Sequence, residues 1–424
     1  MSASVNPPRG MRDFLPAEKR ARDQVIAEIV ATYRQHGFEA IETPVMEDHA
    51  VIHSGLGGDN EKLSFPVLRR GLDMEQVRSV SSLDDLTDLS LRFDLTVPLA
   101  RFVATHQAEL PPVFRALHVA PVWRAERPQK GRFRQFTQCD IDIVGEPGTL
   151  AEREVLVATS AALDRIGLES YRFRVNDRRF LSRLMEKASI DPSDHAPALI
   201  TLDKLDKIGR DGVMAELAER VSGNPDLAVI DRLLAEAEGG SLPLDAKRIV
   251  EWLGVEPALA QSFVSWTSDL ADEIGRDRVV WDPTLVRGMG YYTGSIVELQ
   301  HPGLGVSLGG GGRYDGMIGR FLQRDVPAFG FSLGFERLME VLGTPAVRNP
   351  QQVAVLYGEE TPVGGLIGLK RALIAQGLSV RLVASQKNMR PVFERLDADG
   401  FSRVTTVSDR IPDADQLVWR EIGS

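Results

Sequence analysis

Cysteine is almost missing from this 424-residue chain, with one residue, Cys139, in the whole sequence. A single thiol excludes an internal disulfide framework and gives no cysteine-built zinc cluster. Long apolar runs are missing too. No stretch reaches membrane-spanning length and the N-terminus has no signal-peptide core, so the expected location is the cytoplasm. The N-terminal region lacks a Gly-rich strand-to-helix turn, which argues against a dinucleotide-binding domain there. Positive charge is in deficit: 60 acidic against 50 basic residues give a formal net charge of −10. Such a chain is poorly suited to coating nucleic acid, because phosphate contacts draw on lysine and arginine. It is compatible with a few local contacts to one RNA, where basic residues are concentrated.

The composition is that of a globular protein, 43% hydrophobic and 26% charged, and the length predicts two or three domains. The most informative segment runs from His118 to Gly145, two strand-like runs joined by a loop. Between Arg124 and Arg134 it carries five basic side chains and one carboxylate, Glu126. Side chains in a strand alternate faces. From Phe133 to Ile143, Arg134, Phe136, Gln138, Asp140 and Asp142 therefore fall on one face, and Gln135, Thr137, Cys139, Ile141 and Ile143 join Phe133 on the other. The first face offers donors for a phosphate and acceptors for an amine or imidazole. For any one of these arginines alone, a solvated sheet edge is the simpler reading.

Along the chain, Ala17–His36 is predicted as a helix, with Ile26, Ile29, Val30 and Tyr33 at helical spacing and Gly37 past its end. Phe38–Val45 reads as a strand stopped near Pro44, and Glu152–Ile166 as a core helix. Residues 176–278 are predominantly helical and polar, with turn signals at Gly223-Asn224-Pro225 and Gly239-Gly240, and predict an inserted helical domain. Within it, Asp203-Lys204-Leu205-Asp206-Lys207 reads as a solvated helix face. A linker follows Gly343. Strand Val353–Leu356, helix Val363–Gln376, strand Ser379–Val383, helix Arg390–Asp399 and strand Arg403–Val407 then alternate as in a small doubly wound domain.

The run WRAERPQKGRFRQFTQ resembles motif 2 of the class II aminoacyl-tRNA synthetases, and in detail that of the histidyl-tRNA synthetase family. Arg9–Pro16 (RGMRDFLP) resembles the family's N-terminal signature, and Leu91–Thr96 (LRFDLT) its first amino-acid-binding strand. Leu285–Tyr292 (LVRGMGYY) and Gly309–Gly316 (GGGGRYDG) resemble its two histidine-specific motifs, and Phe329–Leu338 (FGFSLGFERL) resembles motif 3. Ordered matches along nearly the whole chain carry far more weight than one Gly-rich run.

The resemblance implies an α+β fold: an antiparallel sheet flanked by helices in residues 1–345, the helical insertion at 176–278, and a shortened anticodon-binding-like α/β domain at 351–424. It implies that the helix and strand before Val45 are motif 1 and make a homodimer interface. The chemistry implied is attack of the L-histidine carboxylate on the α-phosphate of ATP, with Mg²⁺ as cofactor, followed by transfer to tRNA(His). By resemblance Arg124 and Arg287 meet the α-phosphate and Arg337 the γ-phosphate, with Glu126 and Arg132 completing the nucleotide side. Asp94, Gln138 and Thr96 take the α-amino group. Asp142, Tyr291, Tyr292 and Tyr314 line the imidazole end, where Gly310 allows close backbone approach.

The chain departs from the family pattern at Gly290, where Asp is usual, leaving Asp282 or Asp315 to compensate. Its final domain stops short of the usual strand and helix. Three functions stay open: a histidine–tRNA ligase, a histidine-sensing regulatory subunit of ATP phosphoribosyltransferase, or an adenylate-forming enzyme with another acceptor. Retention of Arg124, Arg287, Arg337 and most of a C-terminal domain favours the first.

Overall fold

A computed structural model of the chain describes all residues except 1–4, 54–62, 130, 239–243, 288–291, 344–348 and 423–424. Contacts divide it into two compact units, Met1–Arg12 with Ile26–Leu342, and Asp13–Val25 with Gly343–Ser424.

The first unit is built on an eight-stranded sheet. Its spatial order is Glu39–Ala40, Phe114–Trp123, Gln135–Val144, Ala328–Gly334, Gly309–Arg313, Ser295–Gln300, Arg172–Asp177 and Val279–Trp281. The two outermost pairings are parallel, and the five between them are antiparallel. The period-two pattern of the hairpin explains its burial. Cys139, Ile141 and Ile143 are at most 1% exposed. The helix Leu150–Arg165 packs on the sheet with Val155, Ala158, Ala162 and Leu163 fully buried. On the opposite side, helices Thr96–Thr105 and Asp315–Leu322 share a core with Phe93, Phe114 and Tyr314.

The N-terminal helix spans Pro16–Gln35 and ends at Gly37, whose φ of +84° suits glycine. The expected strand Phe38–Val45 is broken: only Glu39–Ala40 joins the large sheet, and Met46–Asp48 joins a separate three-stranded sheet with Phe65–Leu68 and Thr87–Leu91. The reason lies in Arg92. Its buried guanidinium donates to the carbonyls of Thr43 (2.9 Å), Pro44 (3.2 Å) and Pro121 (3.0 Å). These acceptors are satisfied by a side chain in place of a ladder. Leu91–Thr96 is likewise not one strand. The strand stops at Leu91 and Thr96 opens a helix.

The inserted segment forms helices Arg178–Lys187, His195–Leu202, Leu205–Arg220, Leu227–Glu238, Ala246–Leu253 and Pro257–Ile274 around Phe180, Leu184, Leu199, Val213, Ile230, Ile249 and Phe263. In the second unit, strands Asn349–Tyr357, Ser379–Ala384 and Phe401–Val407 are parallel, and Arg420–Glu421, unforeseen in the sequence, adds antiparallel to Phe401–Val407. Alternation along Asn349–Tyr357 feeds two cores. Val355 faces Leu366, Leu369 and Leu373 of the helix Val363–Ala375, and Ala354 and Leu356 face Leu396 of the helix Arg390–Ala398.

One buried ion pair pins the Gly-rich strand. Arg313 donates to Glu152 through Nε (2.8 Å) and Nη2 (2.5 Å), and Ser295 Oγ donates to the same carboxylate at 2.8 Å. Glu152 is 2% exposed, so removing its partner leaves an uncompensated charge. Arg313→Met is expected to cost about 3–5 kcal/mol in urea denaturation; a loss below about 1 kcal/mol would mean that the pair is replaceable.

Candidate functional site

A cleft of about 750 Å³ opens over the sheet face that carries Phe136, Gln138, Asp140 and Asp142. Its size suits a drug-sized ligand. The charges along it are segregated.

One end is acidic. Tyr314 donates its hydroxyl to Asp142 Oδ1 at 2.6 Å, with both groups buried. Gly330 lies opposite Asp142 in the register, and a Cβ there would sit 1.7 Å from Asp142 Oδ1, so only glycine leaves room for the carboxylate. Asp94 Oδ1 accepts from the Val97 N–H at 3.2 Å, which holds the carboxylate at the mouth of the helix Thr96–Thr105. Gln138 donates through Nε2 to Ser332 Oγ at 2.5 Å, while its Oε1 is buried with no hydrogen-bond partner. An orphaned acceptor in a cleft awaits a donor. Burial pushes the Asp142 carboxyl up to about 7, with Asp94 adding to the rise and the Tyr314 hydrogen bond opposing it. Asp140 is also pushed well up, first by burial and then by Asp142. Three carboxylates this close call for a cationic donor.

The other end is basic. Arg124 donates Nε to the Phe93 carbonyl at 3.0 Å, and its guanidinium stands 5.1 Å from the centre of the Phe136 ring. Arg337 donates to the carbonyls of Gly131 (3.0 Å) and Ser307 (2.7 Å). Arg287 Nη1 donates to Glu298 Oε2 at 2.7 Å and to Ser307 Oγ at 3.2 Å. Ser307 therefore ties two of the arginines to one residue. Arg132 lies 3.6 Å from Glu126. The Arg337 guanidinium is pushed below its ordinary value by burial, then by Arg132, Arg287 and Arg124, with Glu126 opposing. Four cations that crowd one another favour a polyanion.

Asp94, Thr96, Arg124, Glu126, Arg132 and Gln138 all line this cleft, as do Asp142, Arg287, Tyr292, Gly310, Tyr314 and Arg337. Tyr291 and Gly290 lie outside the described residues. Arg92, between the strand that ends at Leu91 and the helix that starts at Thr96, turns its guanidinium to the carbonyls described above. Arg134 precedes the strand and donates to the Glu126 carbonyl at 3.0 Å, bracing the loop. Asp140, Ser332, Ser307, Glu298 and Glu336 also line the cleft. Asp140 was legible from strand parity, whereas the others are brought in by pairings that no local pattern announces. Asp203, Asp206 and Lys207 of the insertion are exposed yet stand at the cleft wall. Among the described residues no group of three or more His, Cys, Asp or Glu is arranged to hold a metal.

The model of the histidyl-tRNA synthetase family matches residues 10–338. The sequence is 50% identical over 422 residues to the histidine–tRNA ligase of Leifsonia xyli subsp. xyli (strain CTCB07), covering 97% of each chain. The chain belongs to the histidyl-tRNA synthetase family. It is also 40% identical over 409 residues to the probable histidine–tRNA ligase of Tropheryma whipplei (strain Twist), covering 94% of each. Two solved structures share the synthetase-family fold. The histidyl-tRNA synthetase of Nostoc sp. PCC 7120 aligns with a TM-score of 0.75 at 24% identity, over 99% of this chain and 95% of that one. An ATP phosphoribosyltransferase regulatory subunit/histidyl-tRNA synthetase from Bacillus halodurans aligns with a TM-score of 0.76 at 22% identity, over 97% of this chain and 100% of that one.

The raised Asp142 carboxyl has a stability consequence in this synthetase-family site. Its contribution to stability is whole below the unfolded value near 4 and is lost as pH rises through about 7. In the ligand-free protein, Asp142→Asn is therefore expected to raise the melting temperature more at pH 8 than at pH 5. Equal shifts at both pH values would show that Asp142 ionises without strain.

Proposed function

We infer that the protein is an ATP-dependent histidine–tRNA ligase, which activates L-histidine as histidyl-adenylate and transfers it to the 3′-terminal adenosine of tRNA(His). The observation that carries this reading is the clustering of charge in one cleft, three aspartates in one group and four arginines, with Glu126 and Glu298 beside them, in another. Histidyl-adenylate has the same polarity: an ammonium and an imidazole at one end, phosphate at the other.

Asp94 and the unpartnered Gln138 Oε1 suit the α-ammonium group, with Thr96 beside them. Asp142, hydrogen-bonded to Tyr314, suits the imidazole N–H, and Tyr292 joins them in the lining of the cleft, while Tyr291 is assigned to histidine by the family motif alone. A site that hydrogen-bonds an imidazole rejects apolar amino acids, because its buried polar groups would be left unpaired. Arg124 and Arg287 are assigned to the α-phosphate and Arg337 to the γ-phosphate of a bent ATP, with Glu126 and Arg132 on the nucleotide side. The histidine carboxylate oxygen attacks the α-phosphorus, the bond to the β-phosphate bridge breaks, and pyrophosphate leaves. The arginines stabilise the charge that builds at phosphorus, and the fixed cleft holds both reactants in line. Magnesium would accompany ATP, held by phosphate oxygens and water, since the described residues offer no preformed cage. In the second step the terminal ribose hydroxyl attacks the adenylate carbonyl and AMP leaves.

The four-arginine cluster favours this reading over a regulatory subunit that only senses histidine. The helical insertion is assigned to the acceptor arm of the tRNA, and the C-terminal α/β unit to the anticodon. We also assign a homodimer and a cytoplasmic site of action. Met46, Leu68 and Leu89 expose apolar surface on one face of the three-stranded sheet, and no described helix is long and apolar enough to cross a membrane.

Histidine-dependent exchange of pyrophosphate into ATP tests the first step, and charging of tRNA(His) the second. Exchange that requires histidine and falls at least about 100-fold in Arg287→Ala is expected. Histidine binding without exchange would overturn the ligase reading in favour of a sensor, and exchange without charging would move the acceptor elsewhere.

A further inference from the structure

Arg287 projects from irregular chain, yet the role proposed for it demands a fixed guanidinium. What fixes it is a row of the sheet. Arg174, Glu298 and Gly310 are direct register partners across three adjacent strands, Arg172–Asp177, Ser295–Gln300 and Gly309–Arg313. The Arg287 guanidinium lies over the last of these, since a Cβ on Gly310 would come within 2.5 Å of its Cζ. The middle residue divides its carboxylate between two arginines. Glu298 Oε2 accepts from Arg287 Nη1 at 2.7 Å, and Oε1 accepts from Arg174 Nη1 at 3.0 Å. Arg174 is bound in turn by Asp282, with Nε 2.6 Å from Oδ2, and lies 3.6 Å from Asp206 of the helical insertion.

We propose that Glu298 and Arg174 are positioning residues for Arg287 and that Asp206 forms the outer end of the same chain of ion pairs. The inference rests on the adenylation reading above. A carboxylate given wholly to Arg287 would orient it but also cancel its charge. Sharing that carboxylate with Arg174 keeps the orientation while leaving Arg287 net positive charge for an incoming phosphate. Asp282 then supports Arg287 at one remove, through Arg174 and Glu298. Asp315 does not, as it lies against Arg313 (3.3 Å). The insertion becomes a contributor to the site through Asp206, although its exposed carboxylate is the weakest link of the chain.

The test is a double-mutant cycle read by histidine-dependent pyrophosphate exchange, with melting temperatures recorded for every variant. Glu298→Gln is expected to lower kcat about 100-fold, the scale of a misplaced reacting group, while KM for histidine stays within about threefold. Arg174→Gln, less central, is expected to lower kcat about tenfold. Neither loss is expected to add to that of Arg287→Ala: the double variants should exchange no more slowly than Arg287→Ala alone. A purely structural role would multiply the losses instead. Wild-type exchange with Glu298→Gln and Arg174→Gln unimpaired, or losses that multiply in the Arg287→Ala background, would overturn the positioning role and leave adenylation standing. No wild-type exchange would overturn adenylation and the positioning role with it.

Discussion

Like charges held together at a cost are what the rest of this structure is arranged around. Asp94 raises the proton affinity of both Asp140 and Asp142, Asp142 raises that of Asp140, and Arg124, Arg132, Arg287 and Arg337 repel within reach of a single cleft. Neither cluster is a source of stability. Each persists because the sheet, the Arg313–Glu152 pair and the helix Leu150–Arg165 supply a frame that tolerates it. Strain of this kind gathers at functional sites, and here its two signs match the two ends of one ligand.

Register is the means by which the frame sets the chemistry. One row across the sheet runs from Arg174 through Glu298, Gly310, Ser332 and Asp140 to His118. A row of this kind places an ion-pair support, a seat for a cation and an acidic group at strand spacing of roughly 5 Å. A slip of one residue on any strand would send its member to the opposite face. His118 at the end of the row is buried with neither ring nitrogen hydrogen-bonded, and burial with Arg92 nearby pulls it down to about 4, so it stays neutral at physiological pH.

The legible parts of the sequence were those governed by local periodicity. Alternation from Gln135 to Val144 assigns Gln138, Asp140 and Asp142 to the cleft face and Cys139 and Ile141 to the core, and the same rule gives the alternating α/β pattern after Asn349. Two segments defeated it, the first because a distant side chain replaced the ladder. Arg92 takes the carbonyls of Thr43 and Pro44, so the stretch after Ala40 does not extend as a strand. Asp94 works from a strand-to-helix turn, where parity has no meaning. Gly309–Gly312, which in isolation reads as a turn, is a central strand whose lack of side chains makes room for neighbours on both faces. Glu298, Ser307 and Asp206 carried no signal, since their roles depend on which strands and helices become neighbours.

The account stands on one cleft binding the cationic and anionic ends of a histidyl-adenylate together. Calorimetric titration with a non-hydrolysable histidyl-adenylate analogue, beside histidine alone and ATP alone, measures this most directly. The account predicts binding at least about 10³-fold tighter than histidine alone, because the analogue fills both ends and resembles the species formed during reaction. It also predicts that an otherwise identical alanyl analogue loses most of that gain. Equal affinity for the analogue and for histidine would contradict it, as the arginine cluster would then contribute nothing to the ligand held by the carboxylates.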